Sequence, residues 1–375
     1  MKILVNAIAL ADAGARSVAM NFLKAYVATG WNDELIVYAP PRRGYEALTG
    51  SNVAIRALPR LLQSPLLRHT TTGGFWRHVV RDERPGVVFN MGNYAVPVSV
   101  PQVTLFHWAY AIYPEGEAWR LMGWKDWALR KLRCSIFRRQ LPFTSVMVAQ
   151  TETAAKRLRQ LYGIKDVRVI PNAVSLQESN EIVQPLPALG PRGSRIRLLC
   201  FTKYYSHKNI EVLLPVARQF KDTKAPFQII LTFAHNQSSR AKALMESIRR
   251  EGLSDHVCNI GPVDMQDVPR LYASVDALLL PTLLESFSQT YIEAMHFGKP
   301  IFTSDRDFAR DVCGDVAFFF DPHDAGDIVR TVVQAFKDRG ELTARIERGK
   351  QRMAAMPDWH TVAGMLVDIL HSVRH

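Results

Sequence analysis

Cysteine is scarce in this 375-residue chain. Cys134, Cys200, Cys258 and Cys313 are scattered, and no two form a C-x-x-C pair. That speaks against a disulfide framework or a zinc set and for reduced, mostly buried thiols in a cytoplasmic protein. Long apolar runs are missing as well: none reaches the roughly 18 residues that span a bilayer. The opening MKILVNAIALADAG is too short in its apolar part for a signal peptide and reads as a first strand. No internal repeat, low-complexity tract or Walker lysine loop occurs. The hydrophobic fraction of 47% and charged fraction of 22% are ordinary for a globular protein. The length suits two domains.

Negative charge is also short, with 35 Asp and Glu against 47 Lys and Arg, a formal net charge of +12. The shortage is local. Residues 1–172 hold 23 Lys and Arg against 11 Asp and Glu, whereas residues 173–375 hold 24 of each. A uniformly basic chain would point to nucleic acid. A basic half beside a neutral half suggests instead that one domain faces an anionic surface.

What is present is organised around residues 281–300, PTLLESFSQTYIEAMHFGKP. The apolar run 275–280 reads as a central parallel strand that Pro281 ends. Ser286 and Ser288 are both candidate N-caps for a helix through Phe297, with Gly298 at its C-terminal cap and Pro300 beyond. A helix N-terminus at the C-terminal edge of a parallel strand is an anion site, because its free N–H groups and its dipole both favour phosphate. Glu285 at that mouth is odd as a phosphate ligand. It makes sense if it accepts hydrogen bonds from neutral hydroxyls, and Glu293, two turns on, could do the same for a second set. Hydroxyls, a diphosphate and more hydroxyls in line describe a nucleotide-sugar. The bland alternative is a capping glutamate followed by a solvated one.

The pair Glu285-x7-Glu293, led by ESF and followed by EAM and FGKP, resembles the E-x7-E signature of the retaining glycosyltransferases of family 4. Weaker similarity runs from Met1 to about Asp321. The resemblance implies an α/β, GT-B architecture: two Rossmann-like domains facing across a cleft. Residues 1–172 would be the acceptor-binding domain, with the helix of 357–375 packing back onto it. Residues 173–356 would be the nucleotide-sugar-binding domain.

Other residues take roles through the same resemblance. Family members carry a glycine-rich turn after the first strand; this chain has the single Gly14, which could equally be only a turn former. The strand 103–107 delivers His107 to its C-terminal end, where family members place a histidine near the donor sugar; a lone histidine is otherwise usually structural. Lys203 and Lys208, four residues apart between them, match the family's Arg-x4-Lys that holds the donor diphosphate. Lysine at the first position keeps the charge and loses the bidentate fork. The turn of Gly261, Pro262 and Val263 resembles the base-binding loop. Phe287, Ser288, Gln289 and Thr290 would offer backbone amides to the phosphates. Asp305-Arg306-Asp307 is a D-x-D, which binds metal in the other large glycosyltransferase fold. Here it follows E-x7-E and reads as a polar loop with a helix cap, so no metal and no cofactor is expected.

The stretch 115–139 starts acidic and ends basic, as a helix dipole favours. Leu121, Ala128, Leu132 and Ile136 fall on one apolar stripe; Arg120, Trp127, Lys131 and Arg138 fall on a second face. Residues 119–139 hold seven Lys and Arg, one Asp and three of the chain's seven tryptophans. Indole and cation on one face suit a lipid headgroup layer. The plain alternative is a solvated basic face over an ordinary core stripe.

The reading is a retaining glycosyltransferase that moves a sugar from a nucleoside-diphosphate sugar to an acceptor hydroxyl. A lipid-linked glycan of bacterial surface polysaccharide is the expected acceptor, and the inner face of the cytoplasmic membrane the expected location. A GT-B epimerase or phosphorylase stays open, and more distantly a basic nucleic-acid-binding protein.

Overall fold

The computed structural model describes residues 1–10, 13–50, 52–59, 62, 72–173, 184–190 and 193–373. Residues 174–183, and residues 191–192 within the Pro- and Gly-rich linker stretch 184–195, lie outside them.

The chain divides into two compact units. The first comprises Met1–Pro114, Gly123–Ser175 and Pro357–His375. Among the described residues its strands are β1 (Lys2–Asn6), β2 (Glu34–Ala39), β3 (Val53–Ala57), β4 (Val87–Asn90), β5 (Gln102–Leu105), β6 (Val146–Ala149) and β7 (Val167–Val169). They lie in the order β3-β2-β1-β4-β5-β6-β7, every pair parallel. The direction of winding reverses between β1 and β4, the doubly wound arrangement. A parallel sheet of this kind is covered on both faces, so its strands read as apolar runs without alternation. Strand β1 shows why. Ile3 and Val5 pack with Phe22 and Leu370 on one face, and Leu4 packs with Trp76 on the other. Truncating the fully buried Trp76 to alanine would cost about 3–5 kcal/mol.

The helix Trp359–Ser372 belongs to this first unit. Leu366, Val367 and Leu370 sit in the same apolar cluster as Phe22 and Tyr26. His371 Nε2 lies 2.7 Å from Asp33 Oδ2, and Arg168 donates to Ser372 Oγ at 3.1 Å.

The second unit comprises Glu115–Met122 and Leu176–Met356. Strands β8 (Ile196–Cys200), β9 (Phe227–Leu231), β10 (Val257–Asn259), β11 (Ala277–Leu280), β12 (Ile301–Ser304) and β13 (Ala317–Phe320) lie in the order β10-β9-β8-β11-β12-β13, again all parallel. Here the winding reverses between β8 and β11. Ligands of open α/β sheets bind at that reversal, outside the carboxyl ends of the strands.

The short segment Glu115–Met122 groups with the second unit although its neighbours in sequence belong to the first. Glu117 takes Arg306 at 2.7 Å and is also bridged by His323; Arg240 donates to the Leu121 carbonyl at 3.0 Å. The continuous helical reading of 115–139 therefore divides. A 3-10 turn covers Glu117–Trp119, and the helix runs Trp124–Gln140. Gly123, with an extended backbone, is its N-cap.

Candidate functional site

The chain leaves β8 into the turn 201–209 and leaves β11 into the turn 281–288, so the reversal point of the second sheet brings these two loops side by side. Leu283 N donates to the His207 carbonyl at 2.8 Å, a backbone bond between them. Lys208 closes a 3-10 turn, Ser206–Lys208, and its ammonium forms an ion pair with Oε1 of Glu285. Both side chains are largely withdrawn from water, 16% and 12% exposed. Lys203, five positions earlier, is exposed. The structure thus brings Lys208 and Glu285 into contact, where the sequence had assigned them to different parts of a ligand. An ammonium has three N–H donors, so the ion pair still leaves capacity for a phosphate.

The helix Gln289–His296 begins at Ser288, not Ser286. The Ser288 side chain makes no capping bond; its Oγ meets Thr290 Oγ1 at 2.8 Å. The Ser288 side chain therefore takes none of the first-turn amides, and Phe287, Gln289 and Thr290 are part-exposed around them. Glu293 is inside this helix and 4% exposed. It is no solvated helical glutamate. Burial raises its carboxyl pKa to about 7, and a hydrogen bond from Tyr272 opposes the rise. Tyr272 Oη lies 3.3 Å from Glu293 Oε2 and 3.2 Å from the Thr290 carbonyl, and its ring stacks on Phe297 at 4.8 Å. A carboxyl poised near neutrality gains from hydroxyl donors that favour its ionised form.

Gly261 follows β10 with φ +79°, a left-handed conformation that an L side chain rarely adopts. Its N–H turns back to Asn259 Oδ1 at 3.2 Å, leaving Val263 part-exposed in the loop beyond. In Asp305-Arg306-Asp307, Asp305 accepts from Nε and from one terminal nitrogen of the Arg310 guanidinium, the latter at 2.8 Å, and Arg306 takes Glu117. Asp307 Oδ1 accepts from Phe308 N at 2.8 Å. Among the described residues no group of three His, Cys, Asp or Glu is disposed to hold a metal.

In the first unit, His107 lies two residues past the end of β5 and is part-buried. Its backbone N–H donates to Asn93 Oδ1 at 2.6 Å. Desolvation pushes its imidazole pKa down to about 4, so the ring is neutral at physiological pH. At the reversal point of this sheet, Asn6 Nδ2 donates to Asn90 Oδ1 at 2.9 Å, and Asn90 donates to Gln102 at 2.9 Å. Gly14 is not in the turn after β1; it stands in the first turn of the helix Ala13–Thr29, with open space where a side chain would begin. Ala11 and Asp12 are outside the described residues.

The helix Trp124–Gln140 is also rearranged relative to its sequence pattern. Its only fully buried side chain is Phe137. Leu132, assigned to an apolar core stripe, is 52% exposed, and Ala128 is exposed beside it. Trp124 and Trp127 are 75% and 46% exposed, with Lys125 over one indole at 5.6 Å and Lys131 over the other at 5.7 Å. The stripe and the basic face merge into one exposed face, because Arg130, whose guanidinium stacks 4.1 Å over Tyr110, and Phe137 turn the opposite side inward. Arg138 is on that exposed face; Arg120 lies before Gly123 and is on no face of this helix. No helix among the described residues is long and apolar enough to cross a membrane.

Three residues escaped the sequence reading: Thr282, Tyr272 and Glu117. Thr282 and Tyr272 are buried polar side chains in otherwise apolar surroundings, and only the fold shows which carboxylates they reach.

Residues 187–352 match the family described as Glycosyl transferases group 1, and residues 13–178 match Glycosyltransferase Family 4. The mannosylfructose-phosphate synthase of Agrobacterium fabrum is 32% identical over 130 residues, 34% of this chain and 28% of that protein. The O-antigen chain mannosyltransferase B of Escherichia coli is 32% identical over 95 residues, 25% of this chain and 24% of that one. The matches therefore span about a quarter of these relatives' own lengths. The structure of Anabaena HepE in complex with UDP-glucose aligns with a TM-score of 0.72 at 16% identity, over 99% of this chain and all of that one. The expected α/β, GT-B fold is the observed one.

Proposed function

We propose that this chain, built as the two domains of a GT-B-type glycosyltransferase, transfers a sugar from a nucleoside-diphosphate donor to an acceptor hydroxyl with retention at the anomeric carbon. The observation that carries the reading is the reversal point of the second sheet, where Lys208 and Glu285 meet beside the N-terminus of a helix that buries Glu293 two turns on. Phosphate suits the lysine and the amides; neutral hydroxyls suit the two carboxylates. The likeness to HepE in complex with UDP-glucose supports a donor of this class.

The difficult event in such a transfer is departure of the nucleoside diphosphate. Charge builds on its β-phosphate as the sugar becomes oxocarbenium-like. Lys208, Lys203 and the amides of Phe287, Ser288, Gln289 and Thr290 oppose that charge. A preorganised donor of this kind is worth about 3 kcal/mol in a water-poor site. No metal is then required. Glu285 holds sugar hydroxyls, Glu293 the ribose hydroxyls, and the loop of Gly261 and Val263 borders the base. His107 serves as a neutral hydrogen-bonding group for a substrate hydroxyl.

For the acceptor we propose a lipid-linked glycan at an anionic membrane surface, with the protein peripheral at the inner face of the cytoplasmic membrane. The exposed indoles and lysines of the helix Trp124–Gln140 support this, as does the likeness to the O-antigen chain mannosyltransferase B of E. coli. Titration with UDP-, GDP- and dTDP-sugars, followed by NMR of the product's anomeric configuration, tests the donor, the reaction and the stereochemistry together. Release of an epimerised sugar nucleotide or a sugar phosphate would replace transfer by the epimerase or phosphorylase reading.

A further inference from the structure

The carboxylate of Glu285 is held unevenly. Its Oε1 takes two donors, the Lys208 ammonium and the hydroxyl of Thr282 at 3.1 Å. Its Oε2 has no protein partner among the described residues and is not sealed from solvent. Thr282 itself is 1% exposed and sits two residues past the end of β11, in the turn that leads to Glu285. A buried hydroxyl needs a partner, and three acceptors lie within reach: Glu285 Oε1, the His207 carbonyl at 3.3 Å and the Leu284 carbonyl at 3.4 Å. It has one proton to give. The carboxylate is both the nearest acceptor and the charged one, so it takes the bond. The alternatives are not incidental. The His207 carbonyl belongs to the residue before Lys208 and already accepts from Leu283 N at 2.8 Å. Thr282 therefore stands where the lysine turn and the glutamate turn meet.

We infer that Thr282 is a positioning residue for Glu285: with Lys208 it fixes Oε1, so that Oε2 is the oxygen presented to the donor's hydroxyls. This rests on the proposed sugar-binding role of Glu285. A glutamate has three side-chain torsions, and leaving the carboxylate free to sample them would spread the oxygen that meets the ligand over several positions. Misplacement by about 1 Å is enough to cost on the order of a hundredfold in rate. The threonine anchors the carboxylate without adding charge, and the lysine keeps two N–H donors for phosphate.

The test compares Thr282→Val, which keeps the shape and loses the hydroxyl, with Thr282→Ser, which keeps the hydroxyl. Wild-type turnover of a nucleoside-diphosphate sugar is measured first; if no donor is turned over, the transferase reading fails on its own. With turnover in hand, Thr282→Val should lower kcat by roughly tenfold or more, while Thr282→Ser stays within about threefold of wild type. Affinity for the nucleoside diphosphate alone, which lacks the sugar, should not change in either. If Thr282→Val does not fold, Thr282→Ala against Thr282→Ser isolates the hydroxyl at equal loss of the methyl. A crystal structure of each variant reads the carboxylate independently of turnover, and Glu285 should leave its single placement when the hydroxyl is gone. Wild-type kcat in Thr282→Val, no rescue by serine, or an unmoved Glu285 carboxylate would each overturn the inference.

Discussion

Lys208 and Glu285 stand 77 positions apart in the chain and form an ion pair at the reversal point of the second sheet. Each is the other's neutralising charge in a largely buried setting, so removing either leaves an uncompensated group. We expect Glu285→Ala to abolish transfer without unfolding the protein, and Lys208→Ala to lower the rate by about 10²–10³. Because the two side chains are also in contact, the loss in the double variant should fall short of the two single losses combined. Steady-state kinetics on the three variants, with circular dichroism for the fold, decide this. Additive losses would mean that the two side chains work at separate sites.

Glu293 sets a pH dependence. Its carboxyl pKa is raised from the ordinary 4.5 to about 7 by burial. Below about 7 it is neutral and a weak acceptor; above, it is a carboxylate that holds hydroxyls well. Affinity for an intact nucleoside-diphosphate sugar, whose diphosphate diester does not titrate in this range, should therefore improve as pH rises through about 7. Glu293→Gln should flatten that dependence. Stability moves the other way. The folded state keeps a proton that the unfolded chain has lost, so this group's contribution falls as pH climbs from 4.5 to about 7. Calorimetric titration and urea melts at several pH values read the two effects. A wild-type affinity flat between pH 6 and 8, by the same linkage, would remove Glu293 from the ligand site.

Activity should persist in excess EDTA. Asp305, the first acid of the D-x-D, is held by two guanidinium nitrogens of Arg310, and Asp307 accepts from Phe308 N at the start of its helix. Loss of activity on chelation, restored by Mg²⁺ or Mn²⁺, would return the D-x-D to the site.

The legibility of this chain in its sequence follows the range of the interactions concerned. Strands β2, β11 and β12 and the helix Glu152–Tyr162 are visible because apolar runs, Pro281, Gly163 and the Thr151 cap are local signals. The Glu285-x7-Glu293 spacing is likewise local. The Lys208 ion pair and the Tyr272 hydroxyl on Glu293 join residues 77 and 21 positions apart, and the Thr282 anchor, although only three residues from Glu285, depends on how their turn folds, which no spacing records. The helix at 124–140 misled for a different reason. Its periodicity separates an apolar stripe from a basic one, but Phe137 and the guanidinium of Arg130, stacked on Tyr110, turn inward, and Leu132 is left outside with the lysines. Gly123 was readable as a break, yet the acidic-to-basic gradient across 115–139 concealed it.

The exposed face of that helix should bind anionic membrane. Trp124, Trp127 and Leu132 present apolar surface, and Lys125, Lys131 and Arg138 surround it. A cation near an anionic leaflet is worth about 1 kcal/mol and loses that attraction beyond a Debye length. Three or four such residues with two indoles give reversible binding in the interface plane. Reversing Lys125, Lys131 and Arg138 to glutamate should abolish sedimentation with phosphatidylglycerol-containing vesicles. Replacing Trp124 and Trp127 by alanine should weaken sedimentation while leaving its salt dependence in place. Both sets should lose activity on a lipid-linked acceptor and keep it on a short soluble analogue. Arg120, which precedes Gly123 and groups with the second unit, should be neutral to reversal. Vesicle binding that survives the triple reversal, or that ignores salt between about 50 and 500 mM, would show that the face is merely solvated.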